Sequence, residues 1–162
     1  MSELLFNELP RPTFRWLRVN HTVSSLAGED TSVQSIAVEA NKNILSPLPA
    51  GTALLDGNYE GANKEAVQVL VEKAEGYAIN VPAKGKEVVG IRIDANARVA
   101  NRFQFIVGEG AELEVQFYVT GAGEALTNVS YLNEYDVKEG GKVVVKKVNL
   151  LPEHVQHIEH RY

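Results

Sequence analysis

The chain has 162 residues, of which 44% are hydrophobic and 23% are charged, and this composition predicts a single soluble globular domain with a sizeable core. Acidic side chains outnumber basic ones by 21 to 16, which gives a formal net charge of −5. Because a nucleic-acid binder needs Lys and Arg gathered on one face, this balance argues against a nucleic-acid partner.

The sequence contains no cysteine. This excludes disulfides, a thiolate nucleophile and any zinc or iron–sulfur site held by the chain's own thiolates, and it fits a reducing compartment. The opening MSELLFNELP carries Glu3 and Glu8 where a secretory signal would have basic residues, and no apolar run reaches membrane-spanning length. We therefore expect a cytoplasmic protein without membrane insertion.

Residues 1–62 are predicted to form an irregular lead-in that packs on the rest of the domain. Four of the six prolines lie there, together with the single tryptophan and short runs of mixed polarity. Trp16, with Phe14 two residues before it, is interpreted as an aromatic cap on the core, and a docking anchor is the alternative. The core itself is predicted over residues 63–162, with the whole chain forming one structural domain.

Residues 63–76 show two competing patterns. Apolar residues at helical spacing predict a helix that Asn63 would cap and Gly76 would end. These apolar residues are Ala66, Val67, Leu70, Val71 and Ala74. The same stretch contains VQVLV, which alternates as a strand does, so both interpretations stay open at this point.

From Tyr77 onward, apolar residues alternate with polar ones, and Gly, Asn or Asp residues separate the alternating runs. This pattern predicts a series of short β-strands. In the run over residues 112–119 it predicts four inward and four outward side chains. The inward ones are Leu113, Val115, Phe117 and Val119, and the outward ones are Glu112, Glu114, Gln116 and Tyr118.

VGEGAELEV, at residues 107–115, and VKEGGKVVV, at residues 137–145, repeat one pattern at an interval of 30 residues. In each copy a Glu-Gly pair precedes a strand, so Gly110 and Gly140 are expected in turns, at least one of them with positive φ. Such an interval is typical of a solenoid or β-helix, in which Val143 and Val145 would stack in the layer next to the first copy, whereas strands spaced by roughly 8–12 residues favour a β-sandwich. The pattern predicts a mainly β fold and leaves both architectures open.

HVQHIEH, near the carboxy-terminal end, is the strongest candidate for chemistry carried by the chain itself. His154, His157 and His160 lie three residues apart with Glu153 and Glu159 among them, and imidazole with carboxylate suits zinc or nickel. This spacing places neighbouring histidines near one face of a helix but on opposite faces of a strand. The alternative is a polar, exposed tail.

No catalytic residue is predicted. His21 is the one histidine outside the tail, no serine lies in a nucleophile elbow, and GAGEAL at Gly121 lacks the third glycine of a dinucleotide fingerprint. The carboxylates Glu109, Glu112 and Glu114 are interpreted as a solvated face rather than as an acid/base group, because Glu112 and Glu114 alternate with inward residues. We expect a protein that is not an enzyme.

Two stretches of the sequence, taken in chain order, carry a resemblance to a known family. LPRPTFRWLRVNHT occupies residues 9–22, and GYAINVPAKGKEVVGIRIDANARVANRFQFIVGEGAELEVQFYVTGAGEALTNVSYLNEYDVKEGGKVVVKKVNLL occupies residues 76–151. They resemble the amino-terminal element and the core of the SufB/SufD family of iron–sulfur cluster assembly proteins. The resemblance implies a right-handed parallel β-helix, here a partial solenoid.

The resemblance also implies a non-catalytic scaffold role beside a SufC-like ABC-type ATPase and a SufB-like subunit. An iron–sulfur cluster and ATP are implied only in that partner complex, with no cofactor bound by this chain. The family's cluster-bearing positions lie in a later half that nothing here matches, so no ligand residue is carried over, and we expect a fragment or a shortened relative. A β-rich carbohydrate- or protein-binding module is the alternative function.

The last strand-forming stretch, GGKVVVKKVNLL, is followed only by the histidine-rich tail. Because a solenoid buries each layer against the next, we expect an open strand edge there, with Val144, Val148 and Leu150 facing away from Val143 and Val145. Lys142, Lys146 and Lys147 would protect that edge only in part. We therefore expect the isolated chain to self-associate through its carboxy-terminal end, as a two-fold dimer.

Overall fold

The computed structural model describes residues 3–6, 22–25, 36–57, 64–95, 99–121, 128–153 and 155–161. Within these ranges the chain forms eleven strands and one helix. In chain order they are β1 (Glu3–Phe6), β2 (Thr22–Ser25), β3 (Ile36–Glu39), β4 (Leu45–Leu48), α1 (Lys64–Lys73), β5 (Glu75–Val81), β6 (Lys86–Asp94), β7 (Val99–Val107), β8 (Glu112–Thr120), β9 (Asn128–Val137), β10 (Lys142–Leu150) and β11 (Gln156–Arg161).

The fold is mainly β, with two mixed sheets and a separate antiparallel pair of β1 with β2. The first sheet has the order β10-β8-β6-β3 and the second has the order β11-β9-β7-β5-β4. From β5 onward, consecutive strands alternate between the two sheets, and from β7 onward each strand pairs in parallel with the strand two places earlier. This arrangement stacks each new strand on the preceding layer.

The lead-in predicted as irregular contributes regular structure to both sheets. β3 pairs antiparallel with β6, and β4 pairs antiparallel with β5, so each sheet begins with a short antiparallel strand. Phe14 and Trp16, for which a cap or an anchor was predicted, lie outside the described residues.

The helical interpretation of residues 63–76 is confirmed, because α1 spans most of that stretch. Its buried residues Val67 and Leu70 pack with Ala100 and Leu132 on the outer side of the second sheet. Gly76 does not end the helix; it is the second residue of β5, where a Cβ would overlap the carbonyl oxygen of Arg102. Asn63 lies outside the described residues. No helix in the described part of the chain is long and apolar enough to cross a membrane.

The core lies between the two sheets, and the predicted orientation of β8 is confirmed. Its four predicted inward side chains are at most 2% exposed, and the alternating side chains face outward. Phe117 lies at the centre, with its ring 5.8 Å from that of Phe103, 6.4 Å from that of Phe105 and 5.8 Å from that of Tyr131.

The 30-residue repeat corresponds to the pairing register of the sheets. Val107 lies opposite Val137 in the second sheet, and Val115 lies opposite Val145 in the first. Gly110 and Gly140 have φ values of 62° and 66°, so the turn prediction is confirmed for both copies. The two copies are therefore adjacent layers of one stack.

Candidate functional site

Several inward side chains change from apolar to polar where the sheets reach β10 and β11, although Val143 and Val145 of β10 still pack against the core. In the first sheet, Phe117 is followed in register by Lys147. In the second sheet, Val129 is followed by His157 and Tyr131 is followed by Glu159. The apolar stack thus finishes in a group of titratable side chains, which we call the terminal cluster and define as Tyr131, Lys147, His157 and Glu159.

The four side chains of the terminal cluster form one connected network. Lys147 Nζ lies 2.7 Å from Glu159 Oε2 and 4.9 Å from the centre of the Tyr131 ring. His157 Nε2 lies 3.1 Å from the Tyr131 hydroxyl and 3.4 Å from Lys147 Nζ. The Lys147 ammonium group can only donate, and so can the Asn149 amide nitrogen, which lies 3.3 Å from His157 Nδ1, so one ring nitrogen acts as an acceptor and the imidazole is neutral.

Burial, and to a smaller extent the positive charge of Lys147, lower the pKa of His157 to about 4, and the opposing effect of the Glu159 carboxylate is weaker. The imidazole is therefore uncharged at neutral pH, in agreement with its role as an acceptor. Burial also raises the pKa of Tyr131 well above its ordinary value, so its hydroxyl keeps its proton.

Glu159 is the anion that balances this cluster. Burial acts to raise the pKa of Glu159, but hydrogen bonds from Arg161 and Lys147 outweigh it and hold the pKa below its usual value. Arg161 donates to it through Nε at 2.7 Å and Nη2 at 3.1 Å, and Asn133 donates through Nδ2 at 2.8 Å. Both oxygens of this carboxylate therefore accept hydrogen bonds from more than one donor.

The structure separates the histidines that the sequence predicts as metal candidates. β11 is a strand, so His157 points into the terminal cluster while His160 lies on the opposite face, in register with Leu132 and only 4% exposed. Burial lowers the pKa of His160. His154 lies outside the described residues. Among the residues that the structure describes, no three or more His, Cys, Asp or Glu side chains are grouped to hold a metal ion.

The acidic residues near the first repeat lie on the surface. Glu112 contacts Lys86 at 3.3 Å and Glu114 contacts Lys146 at 2.8 Å, both on the outer face of the first sheet. Glu109 is exposed in the turn before β8. Two positions weighed for other chemistry, His21 and residues 122–126 of the GAGEAL stretch, lie outside the described residues.

Sequence reasoning missed a second polar group, which is buried on the outer side of the second sheet. Arg102 Nη2 lies 3.0 Å from Glu134 Oε2, and their side chains are 0% and 3% exposed. Gln104 donates to the same carboxylate at 3.1 Å, and Glu134 Oε1 accepts from the Leu55 amide at 2.7 Å. The alternation of β7 predicts Arg102 and Gln104 as outward residues. The sequence signal that could have indicated their burial is the apolar face of α1, because such a face must pack against another element and would cover one side of a sheet.

Comparisons with known proteins leave the function to be argued from the chain's own residues. No protein-family model, no curated protein and no solved structure matches it. The function is therefore argued from three features: the terminal cluster, the edge strands β10 and β11, and the resemblance carried by the sequence.

Proposed function

We propose that this chain is a non-catalytic scaffold subunit of an iron–sulfur cluster assembly complex, as its resemblance to the SufB/SufD family implies. The partners would be a SufC-like ABC-type ATPase and a SufB-like subunit. The cluster would be held by the partners, since this chain has no cysteine to ligate it, and ATP would be bound by the ATPase. The scaffold would work in the cytoplasm.

The proposal includes the finer fold, a right-handed parallel β-helix. It is supported by the register of the first sheet, in which Lys86, Glu112 and Lys142 align across three parallel strands that alternate in sequence with those of the second sheet. Connections between parallel strands of one sheet are almost always right-handed, which supports the proposed hand.

The observation that carries the scaffold proposal is that each of the two sheets has an open edge strand at the same end of the stack. These edge strands are β10 in the first sheet and β11 in the second. β10 and β11 each have one neighbouring strand within the described residues. Val148 and Leu150 of β10 are 48% and 56% exposed. A strand edge with unpaired backbone groups and exposed apolar side chains is suited to binding a further strand from a partner.

Co-purification tests the proposal. The longest native form of the chain is expressed with a SufC-like ATPase and a SufB-like subunit, and we expect a stable complex on size exclusion. The double variant Val148→Lys with Leu150→Lys should weaken it, because it places charge on the proposed contact. Val88→Lys is the matched control, since Val88 is 59% exposed on the same face but away from the edge. If neither protein binds the wild-type chain, the scaffold proposal is wrong.

A further inference from the structure

The outer face of the first sheet contains a groove with a volume of about 510 Å³. It crosses β3, β6, β8 and β10 on the face opposite to the core, and Gly90 leaves its centre open. A Cβ at Gly90 would meet Glu39 Cβ at 3.6 Å, an ordinary contact, so the glycine leaves space rather than permitting close backbone packing. The volume falls in the range of small-ligand sites, roughly 300–1,000 Å³.

The lining combines an aromatic ring with side chains that bind hydroxyl groups. Tyr118 is 40% exposed, and the guanidinium carbon of Arg92 lies 5.5 Å from the centre of its ring. Glu39 supplies a carboxylate and Gln116 supplies an amide. A carboxylate accepts hydrogen bonds, a guanidinium donates them and an amide does both, while the tyrosine ring offers a flat apolar surface.

The charges around the groove balance. Glu39 and Arg92 have opposite signs, and Lys146 lies 2.8 Å from Glu114. Glu114 also accepts a hydrogen bond from Gln116 at 2.6 Å, which orients that amide. A strongly charged ligand such as a phosphate gains little from a site without net charge, whereas a neutral ligand rich in hydroxyl groups can use the ring, the donors and the acceptor together.

We propose that this groove binds a neutral oligosaccharide. One sugar ring lies against the exposed part of Tyr118, and its hydroxyl groups bind Glu39, Arg92 and Gln116. The polar side chains belong to neighbouring strands, which lie about 4.8 Å apart in a sheet, so the saccharide crosses the strands rather than following one of them. This site does not depend on the scaffold function. It lies on the opposite face of β10 from the terminal cluster, and it shares Val148 with the proposed partner contact.

The test is an NMR titration of the full 162-residue chain with maltohexaose, cellohexaose, xylohexaose and mannohexaose. At least one should cause saturable amide shifts at Gly90, Gln116 and Tyr118, with a Kd of about 1 mM or tighter. Gly90→Leu fills the groove and Tyr118→Ala removes the ring, so each should weaken binding about tenfold or more. Val88→Ala, on the same strand and face, should leave binding unchanged.

Three outcomes overturn the proposal. One is that none of the four sugars causes saturable shifts, and another is that the shifts persist undiminished in Gly90→Leu. The third is that an extended peptide binds the same amides in preference to every sugar, which would assign the groove to a protein partner. If Gly90→Leu does not fold, Tyr118→Ala decides, because its side chain is exposed. Co-purification with the ATPase is a separate measurement, so either proposal can fail alone.

Discussion

Arg102 and Glu134 form an ion pair with 3.0 Å between Nη2 and Oε2, buried between the second sheet and the segment that leads into α1. Arg102 also donates to the carbonyl oxygen of Thr52 at 2.6 Å, and Glu134 accepts from the amide of Leu55. The pair therefore joins β7 and β9 to a part of the chain that lies 50 residues before Arg102 and 79 residues before Glu134. It holds that segment on the sheet.

Glu134→Ala should destabilise the protein by about 3–5 kcal/mol, because it leaves the Arg102 guanidinium buried without its anion. Denaturant unfolding measures the change. Lys86→Ala is the control, since it removes an exposed ion pair and should change stability by about 1 kcal/mol or less. A loss below about 1 kcal/mol for Glu134→Ala would mean that the pair is not buried in solution.

Phe117→Ala should lower the free energy of unfolding by about 3–5 kcal/mol, because it opens a cavity among three other aromatic rings. The neighbouring Tyr118→Ala removes a partly exposed ring and should cost about 1 kcal/mol or less. Similar losses in the two variants, measured by denaturant melts, would show that the inward and outward faces of β8 are assigned wrongly.

Gly110→Ala and Gly140→Ala should each cost roughly 1 kcal/mol, because both glycines have positive φ, which strains residues with a Cβ. Both sites have ordinary contact distances around an added Cβ, so backbone strain alone decides the loss. Gly57→Ala is the control, since nothing lies within 4 Å of a Cβ there. Thermal melts in which all three variants match the wild type would remove the turn argument.

The free energy of unfolding of the protein should fall in mild acid, because His157 of the terminal cluster is buried in its neutral form. The pKa of His157 is about 4 in the folded protein and about 6.5 in an unfolded chain, so the unfolded state takes up the proton first. The free energy of unfolding should therefore decrease as the pH falls from about 6.5 to about 4 and should change no further from this group below that range. Urea melts across this range measure the slope.

His157→Gln should flatten this slope, since glutamine does not titrate. His160→Gln is a necessary comparison, because burial lowers the pKa of His160 and contributes in the same direction. An identical slope in wild type and His157→Gln would show that the imidazole is not buried in the cluster.

The isolated chain should self-associate through β10, because two copies related by a two-fold axis would cover both exposed edges at once. Sedimentation velocity across micromolar concentrations should show a monomer–dimer equilibrium. Val148→Lys with Leu150→Lys should shift it toward monomer, whereas Val88→Lys should not. A wild-type chain that stays monomeric throughout, with slowly exchanging amides up to Leu150, would show that the edge is already protected.

The local patterns of the sequence were sufficient to predict β5 to β8, β10 and the two turns of the repeat, but they did not predict β9 and left the conformation of β11 open. Alternation in β8 assigns Phe117 inward and Tyr118 outward because side chains of a strand point to opposite faces, whatever the strand packs against. Gly110 and Gly140 were predictable for a similar reason, since a tight turn with positive φ favours glycine in any fold. The repeat interval likewise anticipated which residues pair.

Tertiary structure decided the remaining features, because each depends on a surface supplied by residues distant in sequence. Residues 63–76 fit a helix or a strand until Ala100 and Leu132 provide the apolar face on which α1 packs. Arg102 is an outward residue by alternation, and only the cover of α1 and the preceding segment turns that position into a buried one. His157 and His160 separate because β11 pairs with β9, and that pairing selects the strand conformation over the helical one.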